Sequence, residues 1–145
     1  MTARNNKYNA KKIYVDDIKF DSKAESDYYI YLKYQKKIGN VVDFELQPVF
    51  ILQEGFTKHG KKHLPIKYVA DFKVIYPDGT VKIVDIKGMV TADFKLKYKM
   101  FCNKFDEELL LLRHVAKYGG WIELDAHEKI KRANKKAANK AKTKE

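Results

Sequence analysis

Tyr68-Val69-Ala70-Asp71-Phe72-Lys73-Val74-Ile75-Tyr76, then Pro77-Asp78-Gly79, then Thr80-Val81-Lys82-Ile83-Val84-Asp85-Ile86-Lys87-Gly88 forms the middle of the chain. Two runs rich in β-branched and aromatic residues flank a turn signal, which predicts a β-hairpin from about Ile66 to Lys87. Pro-Asp-Gly suits a three-residue loop, a type I turn begun by Pro77 with Gly79 as a left-handed bulge. Tyr76 then faces Thr80, Asp71 falls directly opposite Asp85, and Lys87 shares the Asp85 face because strand side chains alternate. A two-residue Asp-Gly loop is the other register open to this stretch, and it sends the two aspartates to opposite faces. In the first register the carboxylates sit about 4.5–5.5 Å apart at Cβ, where like charges repel. Such a pair inside apolar strands needs a physical reason.

A divalent cation supplies the simplest one. Mg²⁺ takes a few carboxylates and keeps several waters. Asp71 and Asp85 are the candidate metal ligands, with the backbone carbonyl of Ile86 between Asp85 and Lys87 as a further donor. Lys87 would stand beside the ion and help orient or deprotonate a water. A cation placed so can generate hydroxide and offset charge on a phosphoryl group, and phosphodiester hydrolysis needs both effects. Gly88, at the strand end, lets another backbone approach closely.

Outward from the hairpin, the chain reads in order as follows. Lys12–Val15 and Ile18–Phe20 are short strands about Asp16-Asp17. Ser22, three residues before Glu25, is a capping box that starts a helix running to Ile38, with Gly39 as its left-handed stop. Tyr28, Tyr31, Leu32 and Gln35 trace its packing face. Val41–Leu46 and Val49–Leu52 are strands interrupted by Pro48, which marks an edge or a bulge. Gln53 to Lys62 reads as a polar loop. Thr91-Ala92-Asp93 opens a second helix, Ala92 to Phe105, with Phe94, Tyr98, Phe101 and Phe105 as its apolar stripe. Leu109–Leu112 is a buried strand, Tyr118-Gly119-Gly120 a turn, and Trp121–Leu124 another strand. Asp125 caps a final helix, Ala126 to about Ala141, with almost no apolar stripe, so it is not expected to pack into the core. The expected fold is α+β: a mixed, largely antiparallel central sheet flanked by helices, with a basic C-terminal helical tail. The expected organisation is a basic arm over 1–11, one domain over 12–125, and the tail over 126–145.

Composition bounds the function. The chain has 145 residues, 45% hydrophobic and 13% aromatic, which suits one folded domain. No apolar run approaches the length of a membrane span. The polar N-terminus carries no secretory signal core, and the lone Cys102 has no partner for an internal disulfide, so a cytoplasmic protein is expected. The net charge of +11 points to a polyanion. Residues 126–145 hold eight Lys/Arg against two Glu, a net of +6, so over half the excess lies in the tail. DNA-contacting candidates are Lys95, Lys97, Lys99 and Lys104 on the second helix and Lys131, Arg132, Lys135 and Lys136 in the tail.

Asp71, then Asp85-Ile86-Lys87 on the adjacent strand, after a helix bearing Glu25, resembles the PD-(D/E)xK nuclease superfamily. That superfamily pairs an acid on one strand with (D/E)xK on the next, often with a helix glutamate. Within it, Phe20-Asp21-Ser22-Lys23-Ala24-Glu25, Tyr68-Val69-Ala70-Asp71-Phe72 and Val84-Asp85-Ile86-Lys87-Gly88 are similar to a family of small phage and prophage nuclease-like proteins. The archaeal-type Holliday junction resolvases resemble the layout more distantly. Ala70 stands where the pattern has proline, and the second acid is Asp85 where glutamate is commoner. The resemblance implies a Mg²⁺-dependent (or Mn²⁺-dependent) DNA endonuclease of phage recombination or replication, acting in the host cytoplasm. Asp71, Asp85 and Glu25 would be its metal ligands, Lys87 its catalytic lysine and a homodimer its assembly.

Plainer readings stand beside these. Asp85 and Lys87 can be a charged pair at a strand end, Asp71 an edge charge against aggregation, and Glu25 a capping residue alone. His59 and His63 read as surface loop, and His114 and Cys102 as structural. The tyrosines of the first helix offer base-stacking surface but suit helix packing, and the helix lysines suit a solvated face. A non-catalytic nucleic-acid-binding protein that keeps the nuclease fold is the alternative function. A basic RNA-binding protein is a third, which leaves the facing aspartates without a cause.

Overall fold

A computed structural model describes residues 12–143; the expected arm over 1–11 lies outside them. Strands β1 (Ile13–Val15) and β2 (Ile18–Phe20) form a hairpin, followed by helix α1 (Lys23–Lys37). Strands β3 (Asp43–Leu46), β4 (Val49–Gln53), β5 (Phe56–Lys58), β6 (Lys61–His63), β7 (Ile66–Val69), β8 (Phe72–Ile75) and β9 (Val81–Ile86) come next. Helix α2 (Ala92–Lys104), strand β10 (Glu108–Val115), a 3₁₀ turn, strand β11 (Gly120–Glu123) and helix α3 (Leu124–Thr143) complete the chain. The central sheet has the order β11-β10-β9-β8-β3, parallel between β9 and β10 and antiparallel elsewhere. This is the α+β fold expected, with helices on both faces.

The sheet's two faces bury different side chains. On one, Tyr28, Tyr29 and Leu32 of α1 pack with Phe72, Val74, Val84 and Leu112. On the other, Phe94 and Phe101 of α2 pack with Ile83 and Leu109. Ser22 caps α1 by accepting from the Glu25 amide at 3.1 Å, and Thr91 caps α2 through the Phe94 amide at 3.1 Å. The buried face of α1 includes Tyr29, whereas Tyr31 is 41% exposed. The β1–β2 hairpin is the reason. Phe20 lies 5.2 Å from the Tyr29 ring, and the Tyr29 hydroxyl donates to Asp16 at 3.0 Å, so the packing face rotates toward it.

Pro77-Asp78-Gly79 forms the three-residue loop. Gly79 has φ +86°, its amide donates to the Tyr76 carbonyl at 2.9 Å, and the Tyr76 amide donates to the Thr80 carbonyl at 2.9 Å. Phe72 faces Val84 and Ile75 faces Val81, the register that sets Asp71 against Asp85. The hairpin does not run back to Ile66, however. Strand β7 leaves the sheet and pairs with β4.

Strands β3–β4 and β7–β8 are in fact one bent antiparallel ribbon. Leu46 faces Phe72 and Val49 faces Val69, so the register crosses the gap unbroken. The Gln47 amide donates to the Asp71 carbonyl at 2.9 Å and the Ala70 amide to the Pro48 carbonyl at 3.1 Å. Pro48 has no amide to give the ladder, and Gln47 turns through φ +50°, so the ribbon bends there. Beyond a bulge between Ile51 and Gln53 the ladder resumes as β5 with β6. His59 and Gly60 close it with φ +51° and +73°, the signs of a type I′ turn. Gln53 to Lys62 is therefore not a polar loop but the end of a β-arm. Gly55 lets the strands cross closely: a Cβ there would meet the His63 carbonyl at 3.0 Å.

The C-terminal helix also differs from expectation. It starts at Leu124, one residue before Asp125, and its first turns dock on the sheet with Leu124 and His127 buried. From Lys131 to Thr143 every residue is exposed, as the missing apolar stripe predicts. No helix among the described residues is long and apolar enough to cross a membrane.

Candidate acidic site at the bend of the ribbon

The bend brings the acidic residues together. Asp71 lies just before β8, and its Oδ2 accepts the Ile86 amide at 2.8 Å, which ties it to the end of β9. Amide and carbonyl of one strand residue face the same neighbour, so the Ile86 carbonyl also points to the Asp71 side. Asp85 is 3% exposed. The Tyr68 hydroxyl donates to its Oδ2, and the Lys87 ammonium lies 3.3 Å from its Oδ1. Lys87 sits 4.3 Å above the Phe94 ring, which holds the ammonium beside the acid. The Lys87 amide donates to Leu112 at 2.9 Å, so backbone and side chain are both fixed.

Glu25 reaches the same region from the first turn of α1. It shares a small cleft of about 80 Å³ with Phe20, Gln47 and Asp71. Burial raises its carboxyl above the usual range, with the charges of Asp21 and Asp85 adding, while Ser22 and the Asp21 amide pull the other way. Asp71 is pushed up to about 8, first by burial, then by the charge of Asp85; the Ile86 amide opposes this and Glu25 adds to it. Burial and the Asp85 charge push the Tyr68 hydroxyl far up, so it stays a donor.

These carboxylates suit a small hard cation. Two of them face each other, and burial together with the Asp85 charge makes Asp71 resist ionisation. Among the described residues no three His, Cys, Asp or Glu groups converge as metal ligands. Mg²⁺ needs only one or two carboxylates, since it keeps waters and takes substrate phosphates; the pair with the Ile86 carbonyl meets that requirement.

The raised acids carry a sign for stability. Asp71 and Glu25 hold protons in the fold at pH values where the unfolded chain has lost them. Their contribution therefore falls as pH rises from the ordinary carboxylate range near 4 toward 8. Thermal melts in EDTA across that window are expected to show a declining Tm, and Mg²⁺ is expected to flatten the decline. A Tm that climbs steadily to pH 8 without metal would contradict the assignment.

The expected basic contacts separate into groups. Lys97, paired with Asp93 at 3.7 Å, lines a cleft of about 330 Å³ beside Lys87, together with Lys67 and Thr91. Lys95 and Lys99 face Arg132 across a groove of about 550 Å³ between α2 and α3. Lys104 is committed elsewhere: it donates to the Ile51 carbonyl at 2.7 Å and lies 4.0 Å from Glu54, so it fastens α2 to the ribbon. Lys131 lies 3.8 Å from Glu128, and Lys135 and Lys136 are exposed on the outer part of α3. His63 stacks on Phe56 in the arm, and His114 packs edge-on to Trp121.

Two positioning residues escaped the sequence reading. Tyr68 lies three residues before Asp71, and only the bend carries its hydroxyl to Asp85; its place in an otherwise exposed run of β7 is the sole signal. Arg113 donates to the Gly88 carbonyl at 2.6 Å and pairs with Glu128 at 3.0 Å, clamping the segment after Lys87 against α3. A lone arginine in an apolar strand was the clue there.

No curated protein and no solved structure matches the chain. One family model does match, over residues 5–120, a span that includes every residue of the acidic site and the whole bent ribbon but stops before α3. On that match the chain belongs to the family described as protein of unknown function, DUF1064.

Proposed function

We propose that this chain is a Mg²⁺-dependent DNA endonuclease. The observation that carries the reading is the meeting of Asp71 and Asp85 at the end of β9 with Lys87 3.3 Å from Asp85. Asp71, Asp85 and the Ile86 carbonyl would hold the cation, with Glu25 at its margin. When bound, the cation supplies Lewis-acid polarisation and lowers the pKa of a water. The chain's own groups do the rest. Tyr68 and Lys87 fix the Asp85 carboxylate, Lys87 orients the attacking water and offsets charge on the phosphoryl oxygens, and Lys67 and Lys97 draw the phosphate backbone into the cleft beside it. The resemblance to PD-(D/E)xK nucleases supports the same assignment. Cleavage of branched DNA during phage recombination, by a homodimer that cuts two strands, is its sharpest form.

The test is a panel of end-labelled duplex, nicked, single-stranded and four-way-junction DNA incubated with Mg²⁺, Mn²⁺ or EDTA. Metal-dependent cleavage of at least one form is expected. Lys87→Ala is expected to slow the single-turnover rate about 10²–10⁴-fold while DNA binding in EDTA persists. Intact DNA throughout the panel would sink the proposal. It would favour the second reading, a DNA-binding protein without catalysis.

A further inference from the structure

The far end of the β-arm has a surface that the acidic site does not explain. Lys58 faces Lys61 directly across the last ladder step, and Phe56 faces His63 two steps further in. Alternation places these four side chains on one face and Lys62 on the other. Lys58, Lys61 and Lys62 are exposed, and none makes an ion pair among the described residues, where ten such pairs are otherwise formed. No acidic residue lies between Phe56 and His63. Like charges directly opposed destabilise a hairpin, and an isolated two-stranded hairpin is marginal in water to begin with. The hairpin from Phe56 to His63 therefore carries no anion of its own, Glu54 just before it lying 4.0 Å from Lys104, and a partner that brings anions would relieve the repulsion.

We infer that this arm inserts into the major groove of duplex DNA, with the face bearing Phe56, His63, Lys58 and Lys61 toward the groove floor, the long Lys58 and Lys61 side chains extending from it to the flanking phosphates and Lys62 reaching the phosphates at the rim from the other face; the choice of DNA rests on the nuclease reading. Shape favours the groove. A B-form major groove is about 12 Å wide and admits a two-stranded ribbon. The A-form major groove of duplex RNA is too deep and narrow for it. Phe56 and His63 stack at 4.6 Å, which gives the ribbon a flat, stiff face there. Lys67 continues the basic surface back along the arm to the cleft at Lys87. Asp71 stands at the arm's base, ten residues from Lys61, so the arm reaches at most about 33 Å from the acidic site. That is about one turn of duplex. Seating the arm would thus select which phosphate, about a turn away, meets Asp71 and Asp85.

The experiment compares the full chain with the Lys58→Gln/Lys61→Gln/Lys62→Gln variant. Binding to a short blunt DNA duplex and to duplex RNA of the same sequence is followed by fluorescence anisotropy in EDTA across a salt series. The slope of log K against log salt on DNA is expected to become shallower by about 2–3 in the variant, with little change on RNA. Dimethyl sulfate probing of the unsubstituted protein on DNA, which needs no variant, is expected to show protection of guanine N7, a major-groove atom. An unchanged DNA slope, an equal change on RNA, or unprotected N7 would each overturn the inference. The nuclease reading fails separately: DNA that stays intact with Mg²⁺ overturns that reading, while the slope change and N7 protection still uphold the arm.

Discussion

Asp71→Asn is expected to make the metal-free protein more stable and to abolish metal-dependent cleavage. Asp71 is half-buried against Asp85 and near Glu25, and among the described residues only Lys87 lies within ion-pair distance of the three acids to offset their charge. Asparagine removes one charge and can still accept the Ile86 amide, which Asp71 now does at 2.8 Å. Two carboxylates sharing a site cannot both ionise cheaply. Relief of about 1–2 kcal/mol would raise Tm by roughly 3–6 °C for a chain of this length, with the larger gain toward pH 8. Mg²⁺ at ten times its Kd stabilises the unsubstituted protein by about 1.4 kcal/mol, and the variant is expected to lose that response. Cleavage is expected to fall at least about 10³-fold, since a bound cation contributes several kcal/mol to the transition state. Differential scanning fluorimetry with and without Mg²⁺, beside the cleavage assay, reads all three quantities. A variant that melts lower in EDTA yet still responds to Mg²⁺ would show that Asp71 is a structural acid and not a ligand.

Phe101→Ala carries the largest expected loss of stability. Phe101 is fully buried, edge-on to Phe50 at 5.0 Å and stacked on Phe105 at 5.0 Å, with Tyr68 at 6.1 Å. This aromatic group is where the base of the ribbon rests on α2. Truncation removes apolar burial and leaves a cavity, a cost of about 3–5 kcal/mol, or some 10 °C in Tm for this size. The same change frees Tyr68, whose hydroxyl holds Asp85. Cleavage is therefore expected to drop even at temperatures where the variant is folded. Phe101→Leu refills most of the space and is expected to recover most of both properties. Urea denaturation giving a loss below about 1 kcal/mol would mean that α2 does not anchor the ribbon.

Much of the site was legible because it depends on local rules. Pro77-Asp78-Gly79 leaves two loop lengths open, Pro77 suits the three-residue one, and the structure adopts it, which sets Asp71 against Asp85. Ser22 and Thr91 announce their helices by hydrogen bonds made within one turn. The stripe of Phe94 and Phe101 announces the buried face of α2. What was misread depends on distant partners. Tyr31 and Tyr29 are equally good helix-face candidates until the β1–β2 hairpin packs beside Tyr29. Gln53 to Lys62 is polar and holds two glycines, which reads as loop, yet its strands take their ladder from each other and need no core.

Local rules of turn chemistry, capping and side-chain period thus carry the α+β class, the two capped helices and a turn that favours Asp71 opposite Asp85 beside Lys87. Which of the two registers is taken, and that the ribbon bends at Gln47-Pro48 and Ala70-Asp71, comes from packing between distant elements. That bend carries Tyr68 onto Asp85, sends β4 and β7 off the sheet, and makes an arm of the segment beyond them. The reason is physical: Pro48 removes one ladder donor, but where the freed strands go is set by the apolar surface of α2, some 50 residues further along the chain.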